Sequence, residues 1–209
     1  MILHDISPRV SPRTAVFPGD TPFSAERLMD MESGSHLTLT RIVSTPHVGA
    51  HADAPSHYGR GASDASSLKL ERYLGACRVL RVRPSKGLRL MPADAGDGPF
   101  PGRVLFRTDS FPNPEAWSDD FCALSPELIR HLHARGVVLV GLDTPSVDPA
   151  PSKQLESHAA LLATGMGVLE GLDLSKVPSG DYTLIALPLN LESAEASPVR
   201  AVLVEGAIS

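Results

Sequence analysis

The sequence predicts a mixed α/β domain built around a β-sheet, and three observations lead to this prediction. Its 209 residues fall in the size range of one domain and can bury a substantial core. Segments with the pattern of strands outnumber those with the pattern of helices. The run VVLVGLD at 137–143 is apolar and rich in β-branched residues, which is typical of a central strand covered on both faces.

Three strands are predicted in the first half of the chain. The segment SHLTLTRIVS at 35–44 alternates apolar and polar residues, so it predicts a half-buried strand that leads into a histidine-rich segment. CRVLRVR at 77–83 and RVLFRT at 103–108 show the same alternation. No repeat and no Ser/Gly-rich or charged linker interrupts the chain, so we expect residues 1–209 to form a single domain.

The clearest helix is predicted at 125–136, SPELIRHLHARG. Ser125 is a suitable N-cap and Pro126 occupies the first helical position. The carboxylate of Glu127 is favourable at the positive end of the helix, and Gly136 closes it. The central strand at 137–143 follows directly.

The remaining elements continue the alternation of helix and strand. SKQLESHAALLATG at 152–165 predicts a short helix that Gly165 ends. A strand is expected at 166–171, and two further strands at 182–188 and 198–206.

Composition and charge exclude several classes of protein. The formal net charge is −5, and the sequence has no basic run that could follow a phosphate backbone, which argues against nucleic-acid binding. The N-terminus has no apolar region of a signal peptide, and the apolar run at 137–142 is too short to cross a bilayer. Cys77 and Cys122 are predicted to be buried thiols, so we expect a cytoplasmic protein without membrane contact.

The segment TPHVGAHADAPSHY at 45–58 carries the chemistry. It places His47, His51, Asp53 and His57 within eleven residues of a chain that has eight histidines. The prolines and glycine of this segment disfavour a continuous helix. A strand end followed by a tight turn would bring the same side chains together.

The residue types in this segment predict a metal site. His47, His51 and Asp53 offer two imidazole nitrogens and one carboxylate, a set that suits zinc or a similar divalent ion and leaves positions open for water or substrate. His57 lies beyond a proline and is suited to proton transfer, because the ordinary pKa of histidine is about 6.5. A role for His57 as a further ligand is the alternative.

A second imidazole–carboxylate pair lies far downstream. His158 and Glu170 occur in ESHAALLATGMGVLEGL, the first at the start of the predicted helix and the second at the end of a strand. Spacing alone leaves a structural role open for each of them. Asp143 and Thr144 end the central strand and border the expected pocket without an assigned role.

The motifs VFPGDTPF, HVGAHADAPSHY, GLDTPSVDP, LEGL and ALPLNLESAEASPVRAVL occur in this order along the chain. Together they closely resemble the bacterial kynurenine formamidases of the metal-dependent cyclase family, and the resemblance covers nearly the whole chain. Three positions depart from the usual pattern. Ala50 replaces a threonine, Tyr58 a phenylalanine, and Phe17 an aromatic that is often tryptophan.

The resemblance implies a swivelling β/β/α domain, usually dimeric, with two divalent metal ions, typically zinc. It implies that His47, His51 and Asp53 hold the first ion and that His158 holds the second. Asp53 and Glu170 would reach both ions. His57 falls on the family's catalytic histidine, and Phe17 falls where the family has an aromatic residue that contacts the substrate.

The implied activity is metal-dependent hydrolysis of N-formyl-L-kynurenine to L-kynurenine and formate in tryptophan degradation. A metal-bridged hydroxide would attack the formyl carbon, with His57 as general acid and base. The alternatives are a related amide hydrolase, such as one acting on isatin, or a metal-binding protein without catalysis. No GxSxG motif, P-loop or dinucleotide fingerprint supports another enzyme class.

Overall fold

The computed structural model of the protein describes residues 1–83 and 88–206. The described residues contain three α-helices, which are α1 (Pro92–Ala95), α2 (Pro126–His133) and α3 (Glu156–Thr164). They also contain thirteen strands, which are β1 (Ile2–Asp5), β2 (Ser24–Met29), β3 (Leu39–Val43), β4 (His51–Asp53), β5 (Leu74–Arg81), β6 (Arg89–Leu90), β7 (Arg103–Arg107), β8 (Ala123–Leu124), β9 (Leu139–Leu142), β10 (Gly167–Leu169), β11 (Gly180–Ile185), β12 (Ala196–Pro198) and β13 (Val202–Glu205).

A seven-stranded sheet forms the centre, in the order β1-β13-β11-β5-β7-β9-β10. Strands β5, β7, β9 and β10 are parallel to one another. Strand β11 is antiparallel to both β5 and β13, and β1 is antiparallel to β13. The prediction of a mixed α/β fold around a central mixed sheet is therefore confirmed.

The central sheet is covered on both faces. Val104 and Phe106 of β7 belong to an apolar cluster that includes residues of α2 and α3. Leu105 points to the opposite face, because side chains alternate along a strand, and it belongs to a second cluster. That second cluster includes Ala52 of β4 and contains Ala201, which follows β12. The layers are therefore the β4–β12 pair, the central sheet and the helices.

Helix α2 begins as its cap predicts. The Ser125 hydroxyl accepts a hydrogen bond from the backbone N–H of Leu128 at 3.0 Å. The helix ends at His133, a little before Gly136, which has a φ of 83° and turns the chain toward β9. Every residue of β9 is buried, so the prediction of a covered central strand is confirmed.

The ends of strands and helices differ from the sequence prediction by a few residues. The strand predicted at 77–83 is Leu74–Arg81, and the helix predicted at 152–165 is Glu156–Thr164. The prediction of a half-buried strand at 35–44 is wrong in its burial. Strand β3 is exposed along its whole length, because it pairs with β2 in a separate two-stranded sheet instead of joining the central one.

The histidine-rich segment is a strand end followed by a tight turn. His51–Asp53 form β4, which pairs with β12, and Pro55–His57 form one turn of 3-10 helix. The expectation that this segment is not a continuous helix is confirmed. In residues 1–83 and 88–206, no helix has the length and apolar character to cross a membrane.

The parallel strands bring acidic residues to one edge of the sheet. Asp109 lies just beyond the end of β7, and Asp143 and Glu170 directly follow β9 and β10. The carboxyl ends of parallel strands meet at one edge, which is where open α/β sheets bind their ligands. Asp143 and Asp109 border the same cavity as His51.

Candidate metal centre and active site

Backbone pairing places two of the predicted ligands side by side. The N–H of His51 donates to the carbonyl of Glu170 at 3.1 Å, and the N–H of Glu170 donates to the carbonyl of His51 at 3.0 Å. This antiparallel bridge joins β4 to the residue that follows β10. Residues that are more than a hundred positions apart in sequence therefore reach the same site.

A glycine allows this close approach. Gly171 has a φ of 64°, and a Cβ atom there would lie 2.3 Å from the carbonyl oxygen of Gly49. A side chain at this position would require both a left-handed backbone and displacement of the neighbouring strand. The contact between Gly171 and Gly49 thus brings the histidine-rich segment against the carboxyl end of β10.

Asp53 lies at the centre of the predicted ligand set. Its Oδ1 atom is 3.2 Å from Nδ1 of His47 and 3.5 Å from Nε2 of His51. Its Oδ2 atom is 3.4 Å from Nε2 of His158. Oδ1 of this buried carboxylate therefore faces His47 and His51, and Oδ2 faces His158.

Glu170 divides its oxygens in the same way. Oε2 is 3.3 Å from Nε2 of His51, and Oε1 is 3.6 Å from Nε2 of His158. Oε1 also accepts a hydrogen bond from the backbone N–H of Val147 at 2.7 Å, which fixes the side chain. The two carboxylates thus span the space between His51 and His158.

These separations fit a metal site better than a hydrogen-bonded cluster. Tetrahedral ligands that each lie about 2.0–2.1 Å from an ion are about 3.4 Å apart, whereas hydrogen bonds between nitrogen and oxygen are usually about 2.9 Å long. Within the described residues, Nε2 of His51, Nε2 of His158 and both carboxylate oxygens of Asp53 are buried without a hydrogen-bond partner. His51, Asp53 and Glu170 form one buried group able to hold an ion.

Charge pairing shifts the pKa values of these groups in the metal-free protein. Burial lowers the pKa of His51, but its interaction with Glu170 and the charge of Asp53 outweigh burial and raise it to about 9. Burial likewise lowers the pKa of His158, while Asp148 and Asp53 raise it to about 10. Burial raises the pKa of Asp53, but the surrounding imidazoles hold it well below its usual range.

His57 lies beside the ligand set on the turn that follows β4. Its ring centre is 4.4 Å from that of His47 and 5.8 Å from that of His158, so the residue is partly exposed while its ring is crowded by the site. Desolvation by its neighbours lowers the pKa of His57, so the ring is neutral near pH 7. His47, Asp53 and His57 also form a group close enough to share an ion, so the alternative ligand role stays open.

Phe17 borders a cavity of about 240 Å³ that His47 and His51 also line. Phe17 is 43% exposed and packs edge-to-face on Trp117, with ring centres 5.1 Å apart. The N–H of Asp20 donates to the Phe17 carbonyl at 2.9 Å and closes the turn that presents this ring. Phe111 extends the same aromatic wall next to Trp117.

Asp143 and Thr144, which had no assigned role, occupy different surroundings. Asp143 borders the cavity and accepts hydrogen bonds from the backbone N–H groups of Thr108 and Asp109. Burial raises the pKa of Asp143 despite these bonds. Thr144 is buried, and its carbonyl accepts from the N–H of Gly171, so it supports the turn beyond Glu170.

Three residues at the site were not found by sequence reasoning. Asp148 contacts His158, Glu195 lies 3.3 Å from Nε2 of His47, and Trp117 packs on Phe17. Asp148 and Glu195 lie within quoted motifs, but nothing in their spacing indicates which histidine each would face. Trp117 is the only tryptophan of the sequence, and its rarity could have marked it as a candidate aromatic residue of the binding site.

The family described as putative cyclase matches residues 4–149. This range contains the histidine-rich segment and the turn that carries Phe17. It ends before His158 and Glu170.

Known proteins resemble the whole chain. A kynurenine formamidase of Bordetella petrii is 48% identical over 206 residues, which cover 97% of this chain and 98% of that protein. A solved structure of a potential metal-dependent hydrolase with cyclase activity has a TM-score of 0.84 at 23% identity and covers 99% of both chains. An isatin hydrolase bound to thioisatinate has a TM-score of 0.81 at 21% identity, with 96% of this chain and 91% of that chain covered.

The pKa values predict that metal binding near pH 7 releases protons. His51 and His158 are protonated in the metal-free protein, since their pKa values of about 9 and about 10 lie above pH 7. An imidazole must lose its proton to bind a metal, so about two protons per chain should leave. Titration calorimetry in phosphate and in Tris buffer would measure them, and the number should fall as the pH rises past both values. A binding heat near pH 7 that does not depend on the buffer would contradict this expectation.

Proposed function

This chain belongs to the cyclase family and is a hydrolase, and we propose that it converts N-formyl-L-kynurenine to L-kynurenine and formate in tryptophan degradation. The observation that carries the proposal is 48% identity to a kynurenine formamidase over 97% of the chain. The arrangement of His47, His51, Asp53, His158 and Glu170 supports it, because these residues form a set suited to divalent metal in which all but His47 are buried. The proposed enzyme works as a single domain.

We infer that the site holds two divalent ions, with zinc as the proposed metal. His47, His51 and Asp53 would hold the first ion, and His158 the second. The separate oxygens of Asp53 and Glu170 support two positions, because each carboxylate faces His51 on one side and His158 on the other. When bound, such ions lower the pKa of water toward about 7 and polarise a carbonyl oxygen.

His57 is the proposed general acid and base. Its ring is neutral near pH 7, because its pKa lies below the ordinary value, and it adjoins the rings of His47 and His158. A neutral imidazole can accept a proton from the attacking water and return it to the aniline nitrogen that leaves. The exposure of His57 fits proton exchange with solvent.

Phe17 and Trp117 form the proposed binding surface for the aryl ring of the substrate. Both line the cavity that His47 and His51 border, and their edge-to-face packing leaves Phe17 partly exposed to it. An aromatic substrate would gain ring contacts there. A Phe17→Ala variant with unchanged KM for N-formylkynurenine would exclude this contact.

We further propose that the protein is a homodimer and that the β2–β3 hairpin contributes to its interface. An isolated two-stranded hairpin is marginally stable in water. This hairpin nevertheless exposes Leu28, Leu39, Ile42 and Val43, and Ile42 is 64% exposed. A second copy of the chain would cover this apolar surface.

The proposed compartment is the cytoplasm, and the proposed partner is the small-molecule substrate, with neither nucleic acid nor membrane involved. Cys77 and Cys122 are both buried thiols, as expected of a protein in a reducing environment. Activity recovered only in the membrane or secreted fraction of fractionated cells would contradict this assignment.

Chelation should abolish hydrolysis of N-formylkynurenine, and addition of Zn²⁺ should restore it, because the residues of the site cannot activate water without a metal. The purified protein should contain about two ions per chain by elemental analysis. Isatin, assayed in parallel, should be turned over more slowly. Full activity of the metal-free protein would refute the mechanism, and a preference for isatin would refute the substrate.

The variant His57→Ala should retain its metal content and lose turnover. Loss of a general acid and base lowers kcat by about 10²–10⁴-fold. His133→Ala is the matched control, because His133 is exposed on α2 and takes no part in the site. If His57→Ala instead loses an ion, His57 is a ligand and the proposed role is wrong.

The dimer can be tested by light scattering coupled to gel filtration. Wild type should elute as a dimer, and Ile42→Glu should shift it toward the monomer, because the hairpin interface cannot bury a carboxylate. Leu70→Glu is the control, since Leu70 is similarly exposed but lies in a 3-10 turn outside the hairpin. A monomeric wild type, or a dimer unaffected by Ile42→Glu, would exclude this interface.

A further inference from the structure

Asp148 is a buried carboxylate that the proposed chemistry does not use. It is 1% exposed and lies beyond the end of β9. Its Oδ2 atom is 2.8 Å from Nδ1 of His158 and accepts from the backbone N–H of His158 at 3.1 Å. Its Oδ1 atom accepts from Arg89 at 2.9 Å and from the backbone N–H of Ser157 at 3.1 Å.

Arg89 holds Asp148 in this position and is itself held by several hydrogen bonds. Its Nη1 group also donates to the carbonyl of Leu124 at 2.7 Å and contacts the Ser157 hydroxyl at 2.6 Å. Its Nη2 group donates to Glu156 at 2.6 Å. Arg89 itself belongs to β6, which pairs with β8. The guanidinium therefore ties the start of α3 to a neighbouring sheet.

The same carboxylate caps helix α3. Leu155 occupies the N-cap position and has no side-chain acceptor for the first N–H groups of the helix. Asp148 accepts from Ser157 and His158, which are the second and third residues of α3. A capping role alone would account for these two bonds, but not for the bond to the imidazole ring.

We propose that Asp148, anchored by Arg89, is a positioning residue that keeps the proton of His158 on Nδ1 and turns Nε2 toward Asp53 and Glu170. The other groups that contact the Asp148 carboxylate are Arg89 and two backbone N–H groups, which are all donors to an ionised carboxylate. Because an ionised carboxylate can only accept, the contact at 2.8 Å assigns the hydrogen to Nδ1 of His158. Nε2, which faces Asp53 at 3.4 Å and Glu170 at 3.6 Å, is then the nitrogen that gives up its proton when a metal binds. The inference rests on the proposed metal site.

The other two histidines of the ligand set have weaker partners. Nδ1 of His51 lies 2.9 Å from the carbonyl of Gly49, a neutral acceptor. Nε2 of His47 lies 3.3 Å from Glu195, whose side chain is 43% exposed. The carboxylate behind His158 is instead buried and held by a cation. A carboxylate that accepts from the far nitrogen of a ligand imidazole orients the ring and increases its basicity.

The variant Asp148→Asn separates positioning from capping. Asparagine is about as good an N-cap as aspartate, so α3 keeps an acceptor. Its amide group, however, must point a donor either at Arg89 and Ser157 or at Nδ1 of His158, and the negative charge is lost. We expect the apparent Zn²⁺ affinity, measured by competition with a chromophoric chelator, to fall by about 10–100-fold. The absorption bands of the Co²⁺-substituted protein should change as well.

Variants of Arg89 test the anchor by an independent route. Arg89→Met should weaken Zn²⁺ binding in the same direction, and Arg89→Lys should restore part of it by returning a cation to Asp148. Asp181→Asn is the matched control. Asp181 forms a two-point pair with Arg78 at 2.6 and 2.9 Å on the surface, so its loss should leave Zn²⁺ affinity unchanged.

All affinities are measured without substrate, at a temperature where each metal-free variant is folded. Wild-type Zn²⁺ affinity and an unaltered Co²⁺ spectrum in Asp148→Asn, with only a lower unfolding temperature, would overturn the inference and leave Asp148 as a helix cap. That result would leave the proposed function intact. A wild type that binds two ions but does not hydrolyse N-formylkynurenine would refute the function and leave the role of Asp148 open to the same test.

Discussion

Two buried carboxylates, Asp53 and Glu170, are the constraint on which the rest of the site depends. Removing ionised carboxylates from water costs several kcal/mol each unless nearby charges compensate. In the metal-free protein the compensation comes from the imidazoles of His47, His51 and His158, whose nitrogens lie 3.2–3.6 Å from the carboxylate oxygens. A bound divalent ion would supply the same compensation more strongly. Ligand placement and stability of the folded chain are therefore coupled at this site.

The architecture holds these carboxylates together by joining separate layers of the fold. Asp53 belongs to β4, which covers one face of the central sheet, and Glu170 follows β10 at the edge of that sheet. His158 comes from α3 on the opposite face. The bridge between His51 and Glu170 and the close approach of Gly171 to Gly49 lock the first two layers. Metal binding would consequently link all three layers at one end of the sheet.

The sequence predictions were correct for features that depend on residues close together in the chain, and they failed or stayed open for contacts between distant residues. The β9 strand and the cap of α2 depend on neighbouring residues, and both were predicted correctly. The alternation in 35–44 was a sound indication of a strand, but burial required a partner layer that the pairing with β2 does not provide. For His158 and Glu170 the residues alone left a structural role open, and only the family resemblance named them as ligands. Asp148 and Trp117 carried no local pattern that linked them to His158 and Phe17.

The sequence by itself determined the mixed α/β class, the absence of a continuous helix in the histidine-rich segment, and the grouping of His47, His51, Asp53 and His57. These features are local, because side chains within eleven residues of a strand and turn cannot lie far apart. Only the tertiary structure decided which oxygen of each carboxylate faces which imidazole, and that Asp148 lies behind His158. Such contacts join residues far apart in the chain, and the packing of the sheet layers and of α3 fixes their distances.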